Sequence, residues 1–318
     1  MQGHTVSGLS LDPESKSLYA DAALSNIFNE DLRIDIRDRA ALLRAVEDIS
    51  PEVIIHLAAQ PLVRYSYQHP QETFDINVMG TINLLEATRG LKNLKAVLII
   101  TTDKVYKNFN RLRGYIETDE LGGVDPYSAS KAAADIAAQS WIASFADVPM
   151  AIARAGNVIG GGDWAPDRII PDLVRAYSLN EKPVIRYPDA IRPWQHVLDC
   201  LNGYLKLIDA QISDQVSGEW NFGPDLLTKS TVAQLVTKFW EAMGLDDSTW
   251  VLENSSSPHE AGYLLLDSTK ARSALGWKDR LDFDSTINWT ADWYKNAMNL
   301  DVRSVTEGQV SRFLSIAD

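Results

Sequence analysis

The sequence of 318 residues contains one cysteine and no long apolar run. A single cysteine, Cys200, excludes an internal disulfide framework, which is typical of proteins from a reducing compartment. No run approaches the roughly 20 apolar residues that a membrane-spanning helix needs, and residues 1–10 lack the basic segment of a secretion signal. We therefore expect a cytoplasmic protein with no membrane partner.

Positive charge is also scarce, because 30 Lys and Arg residues stand against 43 Asp and Glu residues and the formal net charge is −13. A surface of this sign repels phosphate backbones, which argues against nucleic acid as a partner. An anionic small ligand requires local arginines, and such arginines occur at positions 154, 168, 175, 186 and 192.

The first two-thirds of the sequence alternates short β-branched runs with longer helical patterns, which is typical of βαβ units around a parallel sheet. Strands are predicted at residues 5–11, 32–36, 53–57, 96–101 and 150–154. The last three are apolar at nearly every position, as expected where helices cover both faces of a sheet. Helices are predicted at residues 38–49 behind the N-cap Asp38, 71–89 before Gly90, 126–145, 231–243 before Gly244 and 268–275 before Gly276.

These patterns predict an α/β protein with a doubly wound, Rossmann-like parallel sheet. Residues 1–155 are assigned to a nucleotide-binding domain. The pattern then changes to irregular loops, short strands and isolated helices. Residues 156–318 are therefore predicted to form mainly a smaller α/β substrate-binding lobe that is interleaved with the first domain.

A glycine-rich turn is missing from this pattern. A doubly wound fold normally opens with a strand, such a turn and a helix whose N-terminus receives a pyrophosphate. Gly3 and Gly8 are five residues apart in or beside a predicted strand, and residues 160–162 follow a late strand without G-x-G-x-x-G spacing. We expect the sheet to lack its first strand-turn-helix, roughly 25 to 30 residues of a βαβ unit, and the chain to bind a dinucleotide poorly.

The residues with the clearest chemistry are Tyr127 and Lys131, four positions apart at the start of a predicted helix and so on one face. An ammonium near a phenol favours the phenolate, which yields a base that works near neutral pH. Thr102, Asp103 and Lys104 follow a predicted strand, and polar groups at the carboxyl end of a parallel strand face the ligand crevice. Asp103 and Lys104 offer an acid and a base side by side; the alternative is a solvated turn with an ordinary ion pair.

Residues 53–60, 77–81, 101–104 and 127–131 resemble the extended short-chain dehydrogenases that remodel nucleotide sugars, and the resemblance continues through residues 154–160 to 275–277. Within that family, residues 60–64, 102–104, 160–164 and 192–194 look like the subgroup that dehydrates CDP-glucose. The lysine after Asp103 is the most specific feature, since dTDP-glucose and GDP-mannose dehydratases have glutamate there. The resemblance implies NAD as cofactor, a nucleotide-sugar substrate, and a homo-oligomer, either dimer or tetramer.

The resemblance also implies roles for the five catalytic candidates. Tyr127 would remove the proton of the sugar 4-hydroxyl while NAD takes hydride from C4, with Lys131 holding the nicotinamide ribose and Thr102 aligning the substrate. Lys104 would then remove the C5 proton and Asp103 would protonate the departing 6-hydroxyl, before hydride returns to C6. CDP-glucose would become CDP-4-keto-6-deoxyglucose by net loss of water.

Further positions match ligand-binding residues of the family. Besides Tyr127 and Lys131, the cofactor-binding candidates are Asp35 and Ile36 beside the adenine, and Leu57, Ala58 and Ala59 along the phosphates. The substrate-binding candidates are Asn157, Arg168 and Arg192 at the nucleotide diphosphate and His259 in a late loop. Small residues after a strand also occur through close packing, and a lone surface arginine or histidine is more often solvated or structural. His56 and the tryptophans are interpreted as core, and no metal site is predicted.

Two alternatives remain. The first is another enzyme of the same scaffold, an epimerase or a decarboxylase acting on a nucleotide sugar, and the Asp103–Lys104 pair speaks against it. The second is a truncated, catalytically silent protein that binds a nucleotide sugar. The missing glycine-rich turn favours that alternative, and the complete catalytic set disfavours it.

Overall fold

The structure, a computed structural model, describes residues 3–226, 229–245, 250–253 and 262–316. Its helices are α1 Leu18–Asp21, α2 Arg39–Ile49, α3 Val63–Gln68, α4 Pro70–Phe74, α5 Gly80–Ala87, α6 Pro126–Phe145, α7 Ile169–Leu179, α8 Val197–Asp214, α9 Val232–Met243, α10 Thr269–Leu275, α11 Phe283–Ala297 and α12 Val302–Leu314. Its strands are β1 Gly8–Ser10, β2 Asp31–Arg33, β3 Val53–His56, β4 Ala96–Thr102, β5 Met150–Ala155, β6 Asn157–Ile159, β7 Val184–Ile185, β8 Ile191–Arg192, β9 Trp194–His196, β10 Gly218–Phe222, β11 Ser230–Thr231 and β12 Val251–Leu252. No helix among these residues combines the length and the apolar content needed to cross a bilayer.

The centre of the fold is a four-stranded parallel sheet in the order β10–β5–β4–β3. Val97 and Ile99 of β4 pack with α5 and α6 on one face, and Leu98 packs with α8 on the other. Nearly every residue of β4 and β5 is therefore buried. The predicted α/β fold with a parallel sheet covered on both faces is confirmed.

The helix signals at α2 and α6 agree closely with the structure. The Asp38 side chain accepts from the amide of Ala41 and begins α2, while Asp125 caps α6 by accepting from the amide of Ser128. The predicted helix 71–89 is divided into α4, a π-helical turn at Asp75–Met79, and α5. One-turn π segments insert a residue into a helical pattern, and hydrophobic periodicity alone does not reveal them.

The sheet is interrupted between β1 and β3. Strands β1 and β2 pair only three residues each, as a separate parallel ribbon, although longer strands were predicted there. Leu9 of β1 and Ile54 of β3 pack against one shared apolar cluster, so the two sheets lie side by side. Ile55 and Leu57 are 41% and 59% exposed, unlike the buried residues of β4. In a doubly wound sheet the first strand lies at this position, where the sequence predicts a missing strand-turn-helix.

The second half of the chain contributes to both regions of the protein. Helices α7, α9 and α11 pack around Trp194, Trp240 and Trp293 in a cluster of their own. Strand β10, in contrast, returns to the central sheet and pairs with β5.

Two buried histidines predict how stability depends on pH. His56 and His196 are 4% and 1% exposed, and burial lowers the pKa of His56 to about 3 and that of His196 to about 4. Both rings stay neutral in the fold, whereas the unfolded chain binds protons below a pH of about 6.5. The free energy of unfolding should therefore be lost as pH falls below about 6.5, by roughly 2 kcal/mol per histidine at about pH 5.

Urea denaturation of His56→Gln and His196→Asn at several pH values measures this loss. Each variant should show a shallower decline than the parent, while a change of the exposed His4 to Gln should leave the decline intact. Identical pH dependence in parent and both variants would contradict the assignment.

Candidate active site

A cleft of about 520 Å³ opens at the carboxyl ends of β4 and β5, where a parallel sheet presents its ligand crevice. Six of the predicted residues line it: Thr102, Lys104, Tyr127, Asn157, Arg168 and Arg192. A second cavity of about 410 Å³ lies around Gly114 and Leu265 and contains none of the candidates. The fold thus brings catalytic and substrate-binding candidates from distant parts of the sequence into one cleft.

Tyr127 lies in the first turn of α6 at the cleft. Its amide donates to Ser66 Oγ at 3.1 Å, which fixes the helix start against the segment that follows β3. Burial raises the pKa of the phenol to about 12, while a hydrogen bond with Thr102 and the charge of Arg168 act in the opposite direction. The phenol is therefore protonated at neutral pH, and its two cleft neighbours favour its ionised form.

Lys131 lies one turn further along α6 and is 6% exposed. Its Nζ donates to the carbonyl of Ile100 in β4 at 2.8 Å, so the ammonium lies beneath the cleft. Burial lowers the pKa of Lys131 to about 8, and the carboxylate of Asp135 opposes that change. Lys131 is thus a buried cation at neutral pH that is close to losing its proton.

Asp103 and Lys104 form a short 3-10 turn directly after β4. Thr102 Oγ1 donates to Asp103 Oδ1 at 3.0 Å and accepts from the amide of Lys104. The Asp103 side chain is fully buried, and its Oδ2 has no partner among the described residues. Lys104 Nζ lies 3.9 Å from Asp103 Oδ1 with its side chain 31% exposed at the cleft. An acid and a base therefore stand next to each other, one beneath the cleft surface and one on it.

The substrate-binding candidates Asn157, Arg168 and Arg192 also line the cleft. Asn157 lies in β6 with its Oδ1 buried and without a partner among the described residues, and Arg168 pairs with Asp163 at 3.2 Å. Arg192 is 6% exposed, and its Nη1 donates to the carbonyl of Ile191. His259 lies outside the described residues.

Arg64 also lines the cleft, although the sequence pattern does not single it out as a binding residue. It lies in the first turn of α3 and pairs with Glu253 at 3.0 Å and with Asp167 at 3.2 Å. The sequence feature that could have identified Arg64 is its place in residues 60–64, the segment that resembles the CDP-glucose subgroup.

The other cofactor-binding candidates, at residues 35–36 and 57–59, do not line the cleft and lie beside the interruption of the sheet. The Asp35 carboxylate is held by Arg37 at 2.6 Å, and this hydrogen bond lowers the pKa of Asp35. Ile36 is buried against Gly80, where an added Cβ would come within 2.6 Å of it. The segment Leu57, Ala58 and Ala59 follows β3, and Ala58 packs on the same cluster as Ile36.

The possible role of Arg154 as an anion-binding residue is wrong. Its side chain has no exposed surface, and its guanidinium contacts Asp135 at 2.9 and 2.7 Å. Arg154 lies inside the apolar strand β5, where a charged side chain requires a buried partner and cannot reach a ligand.

A family model described as GDP-mannose 4,6 dehydratase matches residues 4–290. The chain belongs to this family. It is 42% identical over 304 residues to a CDP-glucose 4,6-dehydratase of Salmonella typhimurium, covering 92% of this chain and 84% of that protein. Identity to dTDP-glucose 4,6-dehydratase 1 of Escherichia coli is 29%, covering 82% of this chain and 77% of the relative.

Solved structures of dehydratases and epimerases share the fold. A dTDP-glucose 4,6-dehydratase of Bacillus anthracis in complex with NAD gives a TM-score of 0.77 at 20% identity, covering 93% of this chain and 89% of that chain. A UDP-glucose-4-epimerase of Stenotrophomonas maltophila with bound NAD gives 0.79 at 19% identity, covering 93% and 92%. At such identities the likeness establishes the fold alone.

The lowered pKa of Lys131 predicts a rise in stability with pH. Between a pH of about 8 and about 9.5 the unfolded chain holds a proton on this amine that the folded chain has released. The free energy of unfolding should therefore increase by roughly 2 kcal/mol over this range.

Urea denaturation of Lys131→Met should lose that rise, because methionine has no proton to release. The matched control is Lys107→Met, which removes an amine that is 49% exposed and paired with Glu120. Equal slopes in the parent and Lys131→Met would rule out the assignment.

Proposed function

We propose that this chain is a nucleotide-sugar 4,6-dehydratase that acts on CDP-glucose and yields CDP-4-keto-6-deoxyglucose. The observation that carries the proposal is the Asp103–Lys104 pair at the end of β4, in which Lys104 lines the same cleft as Tyr127 and Asp103 lies buried beneath it. The 42% identity to the Salmonella CDP-glucose 4,6-dehydratase supports the same substrate. From the single buried cysteine we also propose a cytoplasmic location. From the family resemblance we propose a homo-oligomer.

NAD is the proposed cofactor, and the described residues fit one end of it. Tyr127 and Lys131 offer a phenol and an ammonium at the base of the cleft for a nicotinamide ribose. Between Gly3 and Asp38, however, the described residues provide no glycine-rich turn and helix that could receive the pyrophosphate. When bound, NAD would supply the acceptor for hydride from the sugar C4 and its return to C6.

The remaining steps are assigned to side chains. Tyr127 takes the proton of the 4-hydroxyl, aided by Thr102 and Arg168, which lower the pKa of the phenol against the effect of burial. The ketone formed at C4 acidifies the C5 hydrogen, which Lys104 removes as a proton. Asp103 gives a proton to the 6-hydroxyl, and the C6–O bond breaks to release water. When hydride returns to C6, C5 takes a proton, for which the protonated Lys104 is the assigned donor. The proton that Tyr127 took from the 4-hydroxyl passes through solvent to Asp103, so each side chain ends as it began.

The nucleotide diphosphate is assigned to the arginine side of the cleft. Arg168 and Arg192 can each offer two N–H groups to phosphate oxygens, and the guanidinium fork fits such an anion. The buried Oδ1 of Asn157 is an acceptor for a ligand hydroxyl or amide. We add Arg64 to this set because it lines the same cleft.

The alternatives differ in what they require of the cleft. An epimerase or a decarboxylase needs no acid and base after Thr102, so the Asp103–Lys104 pair disfavours both. A silent binding protein would retain nucleotide-sugar affinity without turnover. An absorbance scan of the purified protein for bound NAD(H), followed by an assay for the 4-keto product, separates an enzyme from a silent binder.

Nucleotide selectivity tests the substrate assignment without need of turnover. We expect CDP-glucose to displace a fluorescent CDP probe at concentrations at least about tenfold lower than UDP-, dTDP- or GDP-glucose require, equivalent to roughly 1.4 kcal/mol. Arg192→Gln should weaken all four ligands alike, since Arg192 is assigned to the diphosphate rather than the base. A clear preference for another nucleotide would overturn the CDP assignment.

Lys104→Ala tests the elimination step. With NAD and CDP-glucose supplied, the variant should still oxidise the sugar at C4, because Lys104 is assigned to the later C5 proton. Reduced cofactor should then accumulate in a single turnover, seen by its absorbance, while release of water falls by about 100-fold or more. Lys107→Ala, outside the cleft, is the control, and parental dehydration by Lys104→Ala would mean that another group is the base.

A further inference from the structure

A buried ion pair lies directly beneath the cleft. Neither Asp135 nor Arg154 exposes any side-chain surface, and two N–H groups of the guanidinium donate to the carboxylate at 2.9 and 2.7 Å. Desolvating two such charges costs several kcal/mol each, so a buried pair is often no more stabilising than apolar side chains of the same size. Stability alone therefore does not account for this pair, and its contacts indicate what else it does.

Asp135 connects α6 to the end of β4. It lies one helical turn beyond Lys131, and its Oδ2 accepts from Thr101 Oγ1 at 2.9 Å as well as from Arg154. Thr101 precedes Thr102, the cleft residue that hydrogen-bonds with Tyr127. The carboxylate thus joins the helix that carries Tyr127 to the strand end that carries Thr102.

Arg154 connects β5 to the segment that follows β4. Its Nη1 donates to the hydroxyl of Tyr106 at 3.0 Å and to the carbonyl of Glu117 at 2.9 Å. Tyr106 is two residues beyond Lys104, and its hydroxyl donates to Asn221 of β10 at 2.7 Å. The guanidinium therefore fixes the turn that holds the acid and the base against the two strands beside it.

We propose that the Asp135–Arg154 pair is a positioning device that sets the spacing between the two halves of the reaction centre. One half is Tyr127 with Lys131 on α6, and the other is Asp103 with Lys104 after β4. The inference rests on the proposed function, and both members are positioning residues because neither reaches the cleft. Displacing reacting groups by about 1 Å can lower a rate by about 100-fold, so spacing of this kind matters for rate more than for affinity.

A double variant separates positioning from stability. Asp135→Leu combined with Arg154→Met replaces the pair by apolar side chains and should melt close to the parent. Its dehydration rate should fall by about 100-fold, while the Kd for CDP-glucose stays within about threefold. Asp199→Asn is the matched control, because Asp199 is another buried carboxylate that accepts from the amides of Arg280 and Leu281 away from the cleft.

The second measurement needs no turnover. NMR of lysine labelled at Cε follows the titration of Lys131. In Asp135→Asn this titration should move to lower pH, because the negative charge that supports the ammonium is gone. In Asp199→Asn it should stay unchanged. Arg154→Lys should recover part of the rate by keeping the charge without the fork.

The outcomes divide clearly. A well-folded double variant with parental dehydration overturns the proposal. If the double variant does not fold, Asp135→Asn decides, and a parental rate together with an unmoved Lys131 titration overturns it. If the parent has no dehydratase activity, the proposed function fails, and the Lys131 titration still tests whether Asp135 acts on the catalytic helix.

Discussion

The parallel pairing of β4 with β5 is the constraint on which the rest of this structure depends. The pair runs in register from Val97 opposite Met150 to Thr102 opposite Ala155. Apolar residues fill both faces until the strands end, and there the side chains become polar because the ladder meets the cleft. The acid and the base follow the end of β4 directly, and Asn157 lies two residues beyond the end of β5.

The pairing of β4 with β3, on the other side of β4, constrains the fold less. Strand β3 is the edge of the central sheet, and Ile55 within it and Leu57 directly after it remain partly exposed, although they belong to a run as apolar as those beside it. An open edge of this kind has backbone N–H and C=O groups without ladder partners. The central sheet therefore has ladder partners on both sides of β4 and β5 and is open only at its edge strands, of which β3 precedes the segment Leu57 to Ala59.

Much of this arrangement could be predicted from local patterns. Helix α6 matches its predicted bounds because Asp125 and Pro126 mark its start, and the spacing of Tyr127 and Lys131 places both on one face. What could not be predicted depends on contacts between distant segments. Asp135 and Arg154 are 19 residues apart in sequence, and only the docking of α6 on β5 makes them partners. The hydrogen bond from Lys131 to Ile100 has the same origin, as does the burial that shifts the pKa values of Tyr127 and Lys131.

The charges in the cleft also depend on contacts between distant segments. The protein carries a formal net charge of −13, so an anionic substrate is repelled at long range and must be bound by local cations. Those cations are already paired in the ligand-free fold, Arg64 with Glu253 and Asp167, and Arg168 with Asp163. A diphosphate must displace carboxylates to gain its bonds, which lowers its net affinity while retaining the geometric selectivity of the guanidinium fork. The same carboxylates keep the arginines ordered before the ligand arrives, so the side chains lose less conformational entropy on binding.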